Sequence, residues 1–124
     1  MFEFPKNQKL CNEKSIEILF ENGKSLSEKP FRIIYSIDYN NEDVFLKALI
    51  VVPKKRVRLA SDRNVIKRRV KEAYRLQKSE LEQYLKSNNH QLNLAIIYQK
   101  HEILDYKLIE EKIKLILDRL KEEL

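Results

Sequence analysis

Ten cationic side chains crowd into 22 residues of this chain, from Lys54 to Arg75. They are Lys54, Lys55, Arg56, Arg58, Arg63, Lys67, Arg68, Arg69, Lys71 and Arg75. Only Asp62 and Glu72 oppose them, which leaves the segment at +8. The whole chain carries +6, so the remainder is slightly acidic. A field focused in this way suits a dense polyanion, and nucleic acid is the obvious one. Arginine forks grip phosphate oxygens in pairs, and lysine adds a mobile point charge. Asn64 adds an amide that can hydrogen-bond a nucleic acid or a neighbouring loop. Neutralising ~6 phosphates would cost on the order of a thousandfold in affinity between low and moderate salt.

Other chemistries find little support. His90 and His101 stand eleven residues apart with no Cys or His cluster, which is no zinc-site spacing. Gly23 is the only glycine, so there is no glycine-rich phosphate loop. Cys11 is the only cysteine, which excludes an intrachain disulfide and fits a reducing compartment. No nearby pattern supplies it with a base, and it reads as a small semi-buried residue. The acids fall mostly on amphipathic helix faces, where solvation explains them. The chain therefore shows no self-sufficient active site. Hydrophobic residues make up 43% and charged ones 35%, the balance of one soluble domain of 124 residues. No apolar run approaches the ~20 residues of a membrane span. The opening MFEFPKNQKL lacks the apolar stretch of a signal peptide. The expectation is a cytoplasmic protein.

The elements that must position these residues follow from periodicity. Residues 12–21 place Ile16, Leu19 and Phe20 at helical spacing, with Asn12 as N-cap and Gly23 as the stop. Residues 31–38 read as a strand with Phe31, Ile33 and Tyr35 on one face. Residues 38–43 are a polar loop. A second strand spans 44–52 and stops at Pro53. Lys54 to Ser61 reads as a loop, and Ser61 or Asp62 as the cap of a long helix reaching about Lys86. Ile66, Val70, Ala73 and Gln77 follow one face of that helix. Arg63, Lys67, Lys71, Arg75 and Lys78 form a basic stripe on the adjacent face. Residues 92–98 are nearly all apolar, as in a strand buried on both faces. A final helix over 105–124 turns Ile109, Ile113, Ile116, Leu117, Leu120 and Leu124 inward. The order is α-β-β-(β)-α-β-α, an α+β sandwich with helices over a small mixed sheet. The long helix makes the strands at 44–52 and 92–98 parallel.

The run from Arg63 to Arg75, RNVIKRRVKEAYR, resembles the signature of the protein subunit of bacterial ribonuclease P. Lys54-Lys55 matches the Lys-Lys that precedes the motif at the end of a strand. Lys9-Leu10, the helix ending in Phe20, and Gly23-Lys24-Ser25 match upstream. Val65 stands where the family usually has a second arginine, and Lys71 where it often has one. The resemblance spans nearly the whole chain, and much is implied by it. The fold is expected to be ribosomal-protein-S5-domain-2-like, with a left-handed crossover at the basic motif. The partners are expected to be a catalytic RNA and precursor tRNA, with no membrane and no obligate protein partner. The RNA removes the 5′ leader of precursor tRNA with bound Mg²⁺; the protein itself is expected to bind no cofactor. The basic loop and helix, with Asn64, are expected on the RNA. Phe20, Arg32, Ile34 and Lys100 are expected at a cleft for the unpaired leader, where stacking is tolerant of sequence. From the residues alone, Phe20 equally fits a core position, and Arg32 a solvent-facing strand position. An RNA-binding protein of another assembly, such as the ribosome, is the alternative function. A DNA-binding regulator fits less well, because a Lys- and Arg-dominated helix face suits phosphate rather than base edges.

Overall fold

A computed structural model describes residues 10, 12–38 and 44–124. Seven elements follow in order: α1 (Glu13–Asn22), β1 (Lys24–Glu28), β2 (Phe31–Asp38), β3 (Leu46–Val51), α2 (Ala60–Ser87), β4 (Gln91–Tyr98) and α3 (Tyr106–Glu123). The four strands form one sheet in the order β1-β2-β4-β3. β1 and β2 pair antiparallel, as do β2 and β4. β3 and β4 pair parallel, with α2 as their connection. Cys11 and the polar loop over 39–43 lie outside the described residues.

Alternation along the strands sends side chains to two faces with different covers. One face carries Phe31, Ile33 and Tyr35 of β2, Leu46 and Ala48 of β3, and Leu92, Leu94, Ile96 and Tyr98 of β4. All are buried against Ile66, Val70, Ala73, Leu81 and Leu85 of α2 and against Ile109, Ile113, Ile116 and Leu120 of α3. Phe31 and Tyr98 meet edge to face at 5.8 Å, the preferred geometry for an aromatic pair. The opposite face has a smaller core of Leu10, Leu19, Ile34 and Ala95, roofed by α1. β4 is therefore sandwiched between helices, which explains its nearly unbroken apolar run.

Both ends of α1 are set by single residues. Asn12 Oδ1 accepts from the Lys14 and Ser15 amides at 3.0 and 3.2 Å. Gly23 closes the helix through its amide to Leu19 O at 2.8 Å. Its φ of −70° is open to any residue. Glycine is needed for room: a Cβ there would lie 2.4 Å from Leu19 O and 2.6 Å from Ile34 Cγ2.

The optional third strand is present and one reading changes. The added strand is β1, which joins the sheet as an edge strand although its sequence, KSLSE, has a single apolar residue. Arg119 of α3 fastens this strand, donating to Ser27 O at 2.8 Å and pairing with Glu28 at 2.6 Å. α2 starts earlier than expected. Its N-cap is Leu59, which supplies no side-chain acceptor, and Ser61 and Asp62 fall inside the first turn.

Candidate nucleic-acid interface

Pro53 ends β3, and its carbonyl accepts from the amides of Arg56 and Val57, both at 3.1 Å. The chain turns tightly there. Val57 plugs into the main core, while Lys54, Lys55, Arg56 and Arg58 stay exposed around it. An apolar anchor thus holds out a fan of four cations. Arg63, one turn into α2, fixes the fan to the helix: its Nη1 donates to Val57 O at 2.9 Å and Arg58 O at 2.7 Å. His101 Nδ1 lies 3.0 Å from Arg56 O and ties the β4–α3 connection to the same loop. The first-turn amides of α2 meet no side-chain cap, so the positive end of the helix adds to the loop's field.

The stripe on α2 divides by partner. Asn64 and Arg68 are exposed, and Lys67 and Lys71 are half-buried beside them. No acidic side chain among the described residues pairs with Lys67, Arg68 or Lys71. Lower on the stripe, Arg75 Nε donates to Glu72 at 3.1 Å, and that hydrogen bond holds the Glu72 carboxyl below the usual carboxylate range. Lys78 lies 3.9 Å from Glu82. The cationic surface is therefore concentrated in the loop and the first three turns. Arg69 does not share it. Two residues from both Lys67 and Lys71, it faces the other flank. There its Nη1 donates to Leu104 O at 2.6 Å and clamps α2 to the entry of α3. Its place is in positioning α2, as is that of one arm of Arg63.

The residues expected at the leader cleft separate as well. Ile34 is 5% exposed beneath α1, in the smaller core, and offers no surface to a ligand. Arg32 is exposed on the sheet face that carries α1. Phe20 stands on α1, 44% exposed. Lys100 follows β4, half-buried between Gln99, whose amide donates to Pro30 O, and His101. Arg32, Lys100 and the 54–58 loop thus gather at one end of the sheet. The register shows what connects them. Ser27 pairs with Arg32, Arg32 with Ile97, and Ile97 with Val51. This row crosses all four strands and ends two residues before Pro53. The next row, Ser25–Ile34–Ala95–Leu49, contains the core residues under α1. Ser27, Ile97 and Val51 were not foreseen, because periodicity does not give the strand register that aligns them with Arg32. The alternating Ser and Leu of KSLSE was the only available signal.

Among the described residues, no three His, Cys, Asp or Glu side chains converge as a metal-holding group. No helix is long and apolar enough to cross a membrane.

The family described as Ribonuclease P matches residues 4–121. The ribonuclease P protein component of Porphyromonas gingivalis is 30% identical over 119 residues, covering 96% of this chain and 87% of its own. The chain belongs to the ribonuclease P protein family. The component from Chlorobaculum tepidum is 33% identical over 102 residues, covering 77% of this chain and 66% of its own. Two solved structures carry the fold. The Staphylococcus aureus RNase P protein superposes with a TM-score of 0.72 at 20% identity, covering 92% of this chain and 95% of that one. The Thermotoga maritima RNase P protein gives 0.65 at 24% identity, covering 90% and 96%.

Proposed function

We propose that this chain serves as a single RNA-binding domain in ribonuclease P. Its basic loop and the upper turns of α2 dock on the catalytic RNA. The Ser27–Arg32–Ile97–Val51 row leads the 5′ leader of precursor tRNA toward that RNA. The reading as an unrelated ribosomal RNA-binding protein is set aside by the family match.

The observation that carries this reading is the junction of two surfaces at one end of the sheet. Lys54, Lys55, Arg56, Arg58, Asn64, Lys67, Arg68 and Lys71 present phosphate-binding groups on a braced loop and helix. The sheet row, exposed at Ser27 and Arg32 and half-buried at Ile97 and Val51, reaches that loop at Val51. A structured RNA needs the first surface; a flexible single strand needs the second. Arg32 meets leader phosphate, Phe20 offers a ring for stacking, and Ile97 and Val51 give apolar footing. None of these contacts reads a base, as a subunit serving many leaders requires.

The chain's own work is to bind, orient and neutralise. Mg²⁺ belongs with the RNA, where it supplies charge stabilisation for phosphate hydrolysis. A cytoplasmic setting, where precursor tRNA is found, accords with this role.

The test compares substrates in the assembled enzyme. Phe20→Ala with Arg32→Ala should weaken binding of leader-bearing precursor about tenfold and leave mature tRNA unchanged. Equal losses for both would remove the leader from this row.

A further inference from the structure

The side chains of the loop from Lys54 to Arg58 donate hydrogen bonds and do not accept them. Lysine and arginine carry N–H groups and no acceptor. The carbonyls of Pro53, Arg56, Val57 and Arg58 are engaged within the protein, by the amides of Arg56 and Val57, by His101 and by Arg63. Such a surface matches phosphate oxygens, which accept. It leaves nothing for the ribose 2′-hydroxyl, the donor on an RNA backbone.

His101 supplies an acceptor beside these donors. Its Nδ1 lies 3.0 Å from Arg56 O. A carbonyl can only accept, so Nδ1 carries the proton, and in the neutral ring Nε2 is left with a lone pair. The residue is exposed, and no protein group among the described residues hydrogen-bonds Nε2. The connection that carries it is braced. Tyr98 Oη donates to Glu102 O at 2.6 Å and accepts from the Leu104 amide at 3.3 Å, and Arg69 holds Leu104 O. The lone pair is thus fixed next to the cations. The neighbouring Glu102 carboxylate is exposed too, but its negative charge is repelled by phosphate.

We infer that His101 Nε2 accepts a hydrogen bond from a ribose 2′-hydroxyl of the RNA held by the 54–58 loop, and so makes this loop selective for RNA over DNA. The inference rests on the docking surface proposed above. Ribose is the donor to expect, because every phosphate gripped by Lys54, Lys55, Arg56 or Arg58 brings its own sugar along, whereas base amines point wherever the RNA fold sends them.

The experiment transcribes the catalytic RNA with 2′-deoxynucleotides scattered at low frequency, separates bound from unbound molecules and maps the substitutions. With the parent chain, deoxy substitution at a particular ribose should weaken binding about fivefold, the loss of one hydrogen bond. His101→Asn keeps a side-chain N–H for Arg56 O, since its amide nitrogen stands about where Nδ1 does, but has no atom at the Nε2 position. With His101→Asn and with His101→Ala that ribose should cease to interfere, while the other positions persist. A role confined to holding the loop would weaken binding overall and leave the map unchanged, and an unchanged map overturns the inference. So does a parent map in which no ribose matters. Failure of the parent to bind the RNA, or binding indifferent to replacing Lys67, Arg68 and Lys71 by Ala, contradicts the docking surface itself and takes the inference with it.

Discussion

At the residue scale, two arginines of the basic segment act on the protein itself. Arg63 holds the carbonyls of Val57 and Arg58, and Arg69 holds that of Leu104. Arg63→Ala should therefore weaken RNA binding more than Lys67→Ala does, because it releases the loop as well as removing a charge. Arg63→Lys should not restore the loss, since an ammonium cannot span two carbonyls as the guanidinium does. Equal affinities for the Lys67→Ala and Arg63→Ala variants in a filter-binding titration would contradict this. Gly23→Ala brings a methyl against Leu19 O and Ile34. It should cost about 1–3 kcal/mol of stability and lower the melting temperature. Asn12 and Gly23 were legible as cap and stop because their effects are local in sequence. The partners of Arg63 and Arg69 were not. Helical spacing places a side chain on a face but says nothing of which carbonyl a distant loop brings to it.

At the element scale, the core faces of α2 and α3 and the burial of β4 could be read from apolar periodicity alone. β1 could not, because an edge strand with one wet face needs few apolar residues, and four of its five are polar or charged. The resemblance put Arg32 and Ile34 together at a cleft; the structure keeps Arg32 exposed and packs Ile34 under α1. The start of α2 was displaced for a related reason. Ser61 and Asp62 are good caps, yet burying Val57 and bonding Arg63 fix where the helix begins. The concentration of cationic surface in the first three turns of α2 has a measurable consequence. Replacing Lys67, Arg68 and Lys71 together by Ala should reduce the slope of log affinity against log salt by roughly two to three. The fold should be retained, since none of the three lies in the core. An unchanged slope would place the phosphates elsewhere.

At the scale of the whole molecule, the sheet separates a large core under α2 and α3 from a small one under α1. Tyrosines tie the large core to pH. Burial, with a smaller contribution from Glu82, pushes the Tyr74 hydroxyl well above its ordinary value of 10.0. Tyr35, Tyr98 and Tyr106 are raised too, each mainly by burial. The folded state thus favours the neutral phenol. Its contribution is complete below about pH 10 and is lost as pH rises from there through the folded-state value. Tyr74→Phe should move the midpoint of alkaline unfolding upward; an unmoved midpoint would mean that Tyr74 does not govern it.

The central claim is that a loop and helix carrying positive charge serve an RNA that does the cutting. Its most direct test is reconstitution. The purified chain is mixed with a bacterial ribonuclease P RNA and labelled precursor tRNA at low Mg²⁺, and leader release is followed. Correctly placed cleavage that needs both components, and fails when Lys67, Arg68 and Lys71 are replaced by Ala, is the predicted result. Tight RNA binding without stimulated cleavage would contradict the account and reduce the basic surface to a general RNA-binding patch.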